Sequence, residues 1–447
     1  MVDSSVTLMM VVFMLTILFM LWRPFGINEV IPTTIGAGII LITGIVSWQD
    51  VSGIVTIVSG PAITILSTIM MSIVLESIGF FRWIAYNIII KSKNSGTRLY
   101  IYTNLLCFFT TMLFNNDGSI LITTPIIIHI VKLLRFKPHQ IFPYLISGAL
   151  IATAASAPIA VSNISNLIAL KMIGLSLNSY VNMMFVPSMI GICIIALLLY
   201  LYFHKELPKK ITFIPHHYTM NPSAHPLSTN REEEVIDWQM IKICLIIVVA
   251  TRTSFFVLTP LGISIEWIGL VGALILIAYR WMKTRTGIID IVKGSPWHIF
   301  LFAFNMYVLV YGLQNVGFND MIIRLLKDFA EQDAMNAAIA FGVLSTVLSN
   351  VFNNLPAVMI GTFSIMDMDL SPLLLQIAYL ANVLGSDIGA LLTPIGTLAT
   401  LIWMFILKKN GIHITWGKYL KVTVYVIPIG LIVSLFSLYA WTMWLFE

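Results

Sequence analysis

The sequence predicts an all-α polytopic membrane protein made of two inverted-topology repeats. Three observations carry that expectation. Of the 447 residues, 58% are hydrophobic and only 10% charged, with a mean hydropathy of +0.94, whereas a soluble domain carries roughly 25% charged residues. So apolar a chain needs lipid as its solvent. Its apolar residues fall into runs of about 20, the length of a helix that crosses the hydrocarbon. Several short polar motifs also recur in the second half, in the same order and at nearly one offset.

The first run, 6–22, follows Asp3 and has no Lys or Arg before it. A secretory leader has a basic start and a cleavage site, so this run reads as a retained span. Further continuous spans are 28–46, 60–81, 181–203, 238–258, 265–281, 296–314 and 421–444. Four other apolar stretches are interrupted. Asn-Asn pairs break 99–134 and 337–366, and Pro-centred motifs break 142–173 and 372–407.

Positive charge decides the threading, because Lys and Arg stay on the cytoplasmic side. Lys91, Lys93 and Arg98 precede 99–134, and Lys132, Arg135 and Lys137 follow it. With both flanks basic, the stretch enters and leaves by one face. Arms of about 16 residues, roughly 24 Å at helical rise, are short for a crossing. The stretch therefore reads as a re-entrant hairpin with Asn115-Asn116-Asp117 at its tip, two ordinary spans being the rival reading.

Arg23, the 82–98 segment, the 132–139 loop, Arg280, Lys283, Arg285, Lys293, Lys408, Lys409, Lys418 and Lys421 are then cytoplasmic. The 47–59 and 259–264 segments have no basic residue and read as outward loops. The second hairpin, 337–366, opens outward. Arg324 and Lys327 fall outside, on an expected interfacial helix, and count against the scheme. The sum is ten crossings and two hairpins, with both termini external. The repeats are 1–203 and 237–447. Between them, 204–236 is expected as a polar cytoplasmic linker with Pro208, Pro215, Pro222 and Pro226. Its His216, His217 and His225 read as solvated loop residues rather than metal ligands.

Phe114-Asn115-Asn116 recurs as Phe352-Asn353-Asn354, at an offset of 238. Glu76-Ser77-Ile78-Gly79-Phe80 recurs as Gln314-Asn315-Val316-Gly317-Phe318 at the same offset, and Pro158-Ile159 as Pro394-Ile395 at 236. Five crossings per half put the copies in opposite orientations, the plan of many secondary transporters. Two such halves exchange conformations around one central site, which gives alternating access.

Other function classes fit less well. The sequence has no G-x-x-x-x-G-K-[ST] phosphate loop, so ATP drive would need another subunit. HExxH and GxSxG signatures are absent as well, and a channel does not need two inverted hairpins. The net charge of +5 comes from short loops between spans, a topology pattern and not a nucleic-acid stripe. Cys107, Cys193 and Cys244 lie in apolar segments without a CxxC, so neither a disulfide framework nor a zinc site is expected. No cofactor is implied, and lipid is the expected surrounding.

Non-helical backbone at membrane depth is tolerated only where it is buried in protein or lines a wet cavity. The four breaks, at 115–118, 156–163, 353–356 and 392–397, are therefore the candidate site. Asn115, Asn116, Ser156, Ser162, Asn163, Asn353, Asn354, Thr393 and Thr397 are candidate solute ligands, since such groups donate and accept hydrogen bonds. The same residues also suit simple capping of helix ends. Asp117, Asp387 and, third, Glu76 are candidate proton carriers, because ionisable groups inside spans are costly and usually functional. Arg252 is placed near the outer interface. The breaks themselves contain no Lys or Arg, which favours a neutral solute.

Phe114-Asn115-Asn116-Asp117-Gly118 with Thr124-Pro125-Ile126 resembles the arsenical pump membrane protein family. So do Pro158-Ile159-Ala160-Val161-Ser162-Asn163 and the run from Asp387 through Thr393-Pro394-Ile395-Gly396-Thr397 to Thr400. The resemblance implies membership of the ion transporter superfamily. It also implies efflux of arsenite and antimonite, as neutral hydroxides or related forms, across the bacterial plasma membrane in exchange for protons. Some members work with a soluble ATPase. Many carry an acid just before the first Pro motif, where this chain has Thr153. The superfamily also contains sodium- or proton-coupled carriers of small carboxylates, which is the alternative function.

Overall fold

A chain in lipid must satisfy its backbone polar groups internally, and a helix does so within one segment. In the computed structural model, which describes residues 4–24, 27–211, 237–285 and 288–446, all regular elements are helical. The first half holds α1 (Ser4–Trp22), α2 (Val30–Ile42), α3 (Trp48–Ser77), α4 (Phe80–Lys91), α5 (Gly96–Leu113), α6 (Asn116–Leu133), α7 (Pro138–Ala154), α8 (Ile164–Ile173) and α9 (Leu177–Phe203). The second holds α10 (Trp238–Leu258), α11 (Ile265–Thr284), α12 (Ile288–Gly294), α13 (His298–Asn315), α14 (Phe318–Ala330), α15 (Ala334–Phe352), α16 (Asn354–Met366), α17 (Pro372–Asp387), α18 (Leu398–Lys409) and α19 (Trp416–Phe446). Among the described residues, 9 helical stretches are long and apolar enough to cross a membrane, while α2, α8 and α16 are shorter apolar helices. The protein is a polytopic membrane protein.

Burial separates the helices by role. Windows of α17 and α3 are 78% and 67% enclosed, against 33% for α1, α10 and α11. The former are central, and the latter turn large apolar faces such as Val11, Leu18, Val271 and Leu274 outward.

The order of elements repeats. The α3–α4 turn at Gly79 (φ 79°) has its counterpart in the α13–α14 turn at Gly317 (φ 78°). Glycine is the residue that takes this left-handed backbone freely, so the motif match reflects one shared turn. Packing between the halves is reciprocal. α2 lies against α13 and α11 against α3, α8 lies against α16 and α18 against α6, and α9 lies along α19. Each half thus completes the other.

Several local readings change. The 47–59 segment, expected as an outward loop, forms the first turns of α3. Its cause is a capping box: Asp50 N donates to Ser47 Oγ at 3.3 Å, and Ser47 N donates to Asp50 Oδ2 at 3.2 Å. That pairing satisfies two orphan donors and starts the helix early. The helices flanking Asn115 have 18 residues each, because Ser95 caps α5 ahead of the apolar run. Arg324 and Lys327 lie on α14, an amphipathic helix that buries Asn319 and Ile322 while exposing Met321 and Leu325. The start of the linker packs on the α4–α5 turn, with Ile211 N donating to Asn94 O at 2.8 Å. The rest of it, 212–236 with His216, His217 and His225, lies outside the described residues.

Candidate functional site

The first break separates α5 from α6. Asn115 is the N-cap of α6, and its Oδ1 accepts from Gly118 N at 3.0 Å. A Cβ on Gly118 would sit 2.4 Å from that oxygen, so only glycine leaves room for the cap. Asn116 Oδ1 accepts from Asp117 N at 2.8 Å. Asp117 is buried in the first turn of α6, where the helix dipole favours an acid. Its electrostatic neighbours are Glu29 and Asp387.

Arg252 adds to the sequence reading: it is buried and reaches across from α10 to the tip of the first helix pair. Its Nε donates to Leu113 O at 2.5 Å, and its Nη2 donates to Phe114 O. These are carbonyls at the C-terminal end of α5, which have no partner within the helix and carry partial negative charge. A cation is therefore present at a break after all. Its side chain comes from a helix 138 residues away from Phe114 in sequence, so no local motif announces it.

The second and fourth breaks meet at Asp387, the last residue of α17, which is fully buried. Asn163 Nδ2 donates to Asp387 Oδ1 at 2.7 Å, and Asn166 Nδ2 donates to Oδ2 at 2.6 Å. Ser156 Oγ lies 3.0 Å from Oδ2 and 2.7 Å from Thr153 O. A hydroxyl has one proton, so Ser156 serves one of these acceptors at a time. Asn163 is oriented by its own carbonyl, which caps α8 by accepting from Ser165 N at 3.1 Å and Ser165 Oγ at 3.0 Å. Asn166 was not singled out from the sequence. The available signal was the Asn163-x-x-Asn166 spacing, which places two amides on one helix face.

The third break locks onto the fourth. Asn353 sits at φ 81°, ψ 158°, a region normally left to glycine and costing about 1–3 kcal/mol for other residues. It is held by Asn353 Nδ2 donating to Ile395 O at 3.0 Å. One turn earlier, Asn350 Nδ2 donates to Gly389 O at 2.9 Å while Asn350 Oδ1 accepts from Thr393 N at 2.7 Å. Asn350 also went unnoticed in the sequence, because the repeat puts Met112 at its counterpart position, 238 residues earlier. Thr397 caps α18, its Oγ1 accepting from Thr400 N at 3.1 Å.

The structure thus forms two hydrogen-bonded sets, one of Ser156, Asn163 and Asn166 on Asp387 and one of Asn350 and Asn353 on the backbone of Gly389, Thr393 and Ile395. Asn354 and Ser162 are buried beside their breaks. Asn115, Asn116 and Asp117 cluster at the first break. Glu76 lies elsewhere in the chain's polar plan, in the last turn of α3, buried and with Arg82 as its electrostatic partner. Several polar atoms make no hydrogen bond to a described protein group: Asn115 Nδ2, Ser162 Oγ, Asn166 Oδ1, Asn353 Oδ1 and Thr393 Oγ1. Buried polar atoms are nearly always paired, and unmet ones also occur away from the breaks, at Asn104, Asn319 and Trp403 among others. Capping and an unmet group coexist on Asn115. Cys107, Cys193 and Cys244 stand on α5, α9 and α10, and among the described residues no group of three His, Cys, Asp or Glu assembles.

Comparison with known proteins agrees with this architecture. The chain is 47% identical over 447 residues to a putative arsenical pump membrane protein of Bacillus subtilis, covering 98% of this chain and 100% of the relative. It is 33% identical over 412 residues to the arsenical pump membrane protein of Escherichia coli K12, covering 92% of this chain and 93% of that one. A 46 kDa membrane protein of Mycobacterium leprae is 22% identical over 428 residues, or 94% of this chain and 95% of that one. The model of the arsenical pump membrane protein family matches residues 8–442. With that match and its many apolar helices, this multi-pass protein of the bacterial cell membrane belongs to the arsenical pump membrane protein family, a family of transporters.

Proposed function

We propose that the chain exports arsenite and antimonite in exchange for protons, by alternating access between two halves of opposite orientation. The observation that carries this reading is the Asp387 junction, where one buried carboxylate holds Ser156, Asn163 and Asn166 from the other half. Ionised, Asp387 accepts from the Asn163 and Asn166 amides and ties the two broken helices together. A proton arriving on Oδ2 finds Ser156 Oγ as its acceptor, since that hydroxyl then donates to Thr153 O. Asn166 Nδ2 then keeps only an uncharged, weaker acceptor. Protonation thus loosens the junction, and deprotonation closes it again. Thr153 takes part through its carbonyl, so the missing family acid does not interrupt this path.

Asp117 is the second proposed proton carrier, and Glu76 ranks third. Asn115, Asn116, Ser156, Ser162, Asn163, Asn353, Asn354, Thr393 and Thr397 are proposed to hold the hydroxylated solute, joined by Asn166. The energy comes from the ion gradient, and a soluble ATPase is not needed for this cycle.

Everted membrane vesicles test it. Arsenite accumulation that follows an imposed proton gradient and stops when the gradient is collapsed is the expected result. Accumulation that ignores the proton gradient but follows sodium would overturn proton exchange. Uptake of a labelled dicarboxylate without arsenite transport would replace the substrate.

A further inference from the structure

Two buried donors at the first break have no acceptor. Arg252 commits Nε and Nη2 to the carbonyls of Leu113 and Phe114, and its Nη1 makes no hydrogen bond to a described protein group. Asn115, the next residue along, commits Oδ1 to Gly118 N, so its Nδ2 is the free end, and this too is unmet. The amide cannot simply turn over, because Nδ2 would then face the Gly118 N–H. Arg252 is 8% exposed and Asn115 1%, which keeps bulk water from answering either donor. Among the described residues Arg252 forms no ion pair, and Asp117 in the adjoining turn does not cancel its charge. The third break has the opposite need, since its unmet atoms, Asn353 Oδ1 and Thr393 Oγ1, are oxygens.

We infer that Arg252 is a solute-positioning residue at the first break, where its Nη1 and Asn115 Nδ2 donate to an oxygen of the transported solute. The inference rests on the reading of the chain as an arsenite carrier and adds to it the residue that orients the hydroxide. A guanidinium is the side chain best suited to the task, being planar, always charged and weakly hydrated.

The test is initial-rate arsenite transport by the full chain in proteoliposomes, with KM and maximal rate separated. Arg252→Gln should raise KM tenfold or more, a change of about 1.4 kcal/mol. Arg252→Lys keeps the charge but not the fork that spans both carbonyls and the solute oxygen, so it should raise KM less than Arg252→Gln does. Asn115→Asp preserves the cap on Gly118 but sets a carboxylate beside Arg252. It should raise KM while the melting temperature stays level or rises, and it keeps the inference testable if Arg252→Gln does not accumulate. An unchanged KM in Arg252→Gln or in Asn115→Asp, with only the maximal rate reduced, would leave Arg252 as a structural clamp and overturn the positioning role. No arsenite transport by wild type would instead bring down the broader reading, and this inference with it.

Discussion

Replacing Asp387 separates the fold from the transport cycle, because two substitutions at this position have opposite structural costs. Asp387→Asn keeps the shape and loses the charge. Asn163 still finds an acceptor in the new carbonyl oxygen. The new amide NH2 faces Asn166, whose Oδ1 has no other partner and can turn to accept. Ser156 can accept as well while donating to Thr153 O, 2.7 Å away. What is lost is the charge assistance of these bonds, so the cost to stability should be about 1–2 kcal/mol. Asp387→Leu leaves the donors of Asn163 and Asn166 facing a hydrocarbon side chain, while Ser156 keeps Thr153 O. At about 1–3 kcal/mol for each unpaired buried donor, the penalty is on the order of 2–6 kcal/mol, comparable with the whole stability of a marginal protein. Protein amount and melting temperature in detergent, together with arsenite resistance in a sensitive host, report the two effects. Asp387→Asn should accumulate near wild-type levels and confer no resistance, being fixed in a protonated-like state. Asp387→Leu should not accumulate. Full resistance from Asp387→Asn at equal expression would remove Asp387 from the cycle. Equal loss of both proteins would show that the Asn166 and Ser156 rearrangement does not occur.

Two further outcomes follow from the geometry. Asn350→Ala removes the bonds to Gly389 O and Thr393 N that hold the fourth break, so it should destabilise by about 2–4 kcal/mol at two lost buried contacts; the thermal midpoint in detergent checks this, and no change would mean the break is self-supporting. Gly118→Ala forces Asn115 Oδ1 away from a Cβ only 2.4 Å distant, which costs the α6 cap about 1 kcal/mol and should raise the KM for arsenite; unaltered transport kinetics would detach the cap from solute binding.

The breaks behaved differently toward sequence reasoning, and the reason is physical. Asn115, Asn163 and Asn353 interrupt apolar runs, and a polar interruption at membrane depth is conspicuous because lipid offers it no partner. Asn350 and Asn166 sit inside helices one turn from these breaks, where a lone amide looks like any tolerated polar residue. Arg252 was visible as a charge, but its depth depended on what it faced. Only the approach of α10 to the end of α5 supplied the carbonyls that let a buried guanidinium stay charged. The 47–59 segment failed for another reason: a lack of Lys and Arg was read as an outer loop, while the Ser47–Asp50 capping pair was the stronger local signal.

By itself the sequence determined the solvent, the class of fold and the recurrence of its short polar motifs, because each follows from hydropathy, charge bias and motif spacing along one line. The tertiary structure alone decided which breaks touch. It paired Asp387 with Ser156, Asn163 and Asn166, set Asn350 and Asn353 on the fourth break, and brought Arg252 to the first. Those partners come from helices more than a hundred residues apart in several cases, joined by reciprocal packing of the halves, and a hydrogen bond is fixed by distance in space rather than by position in the chain.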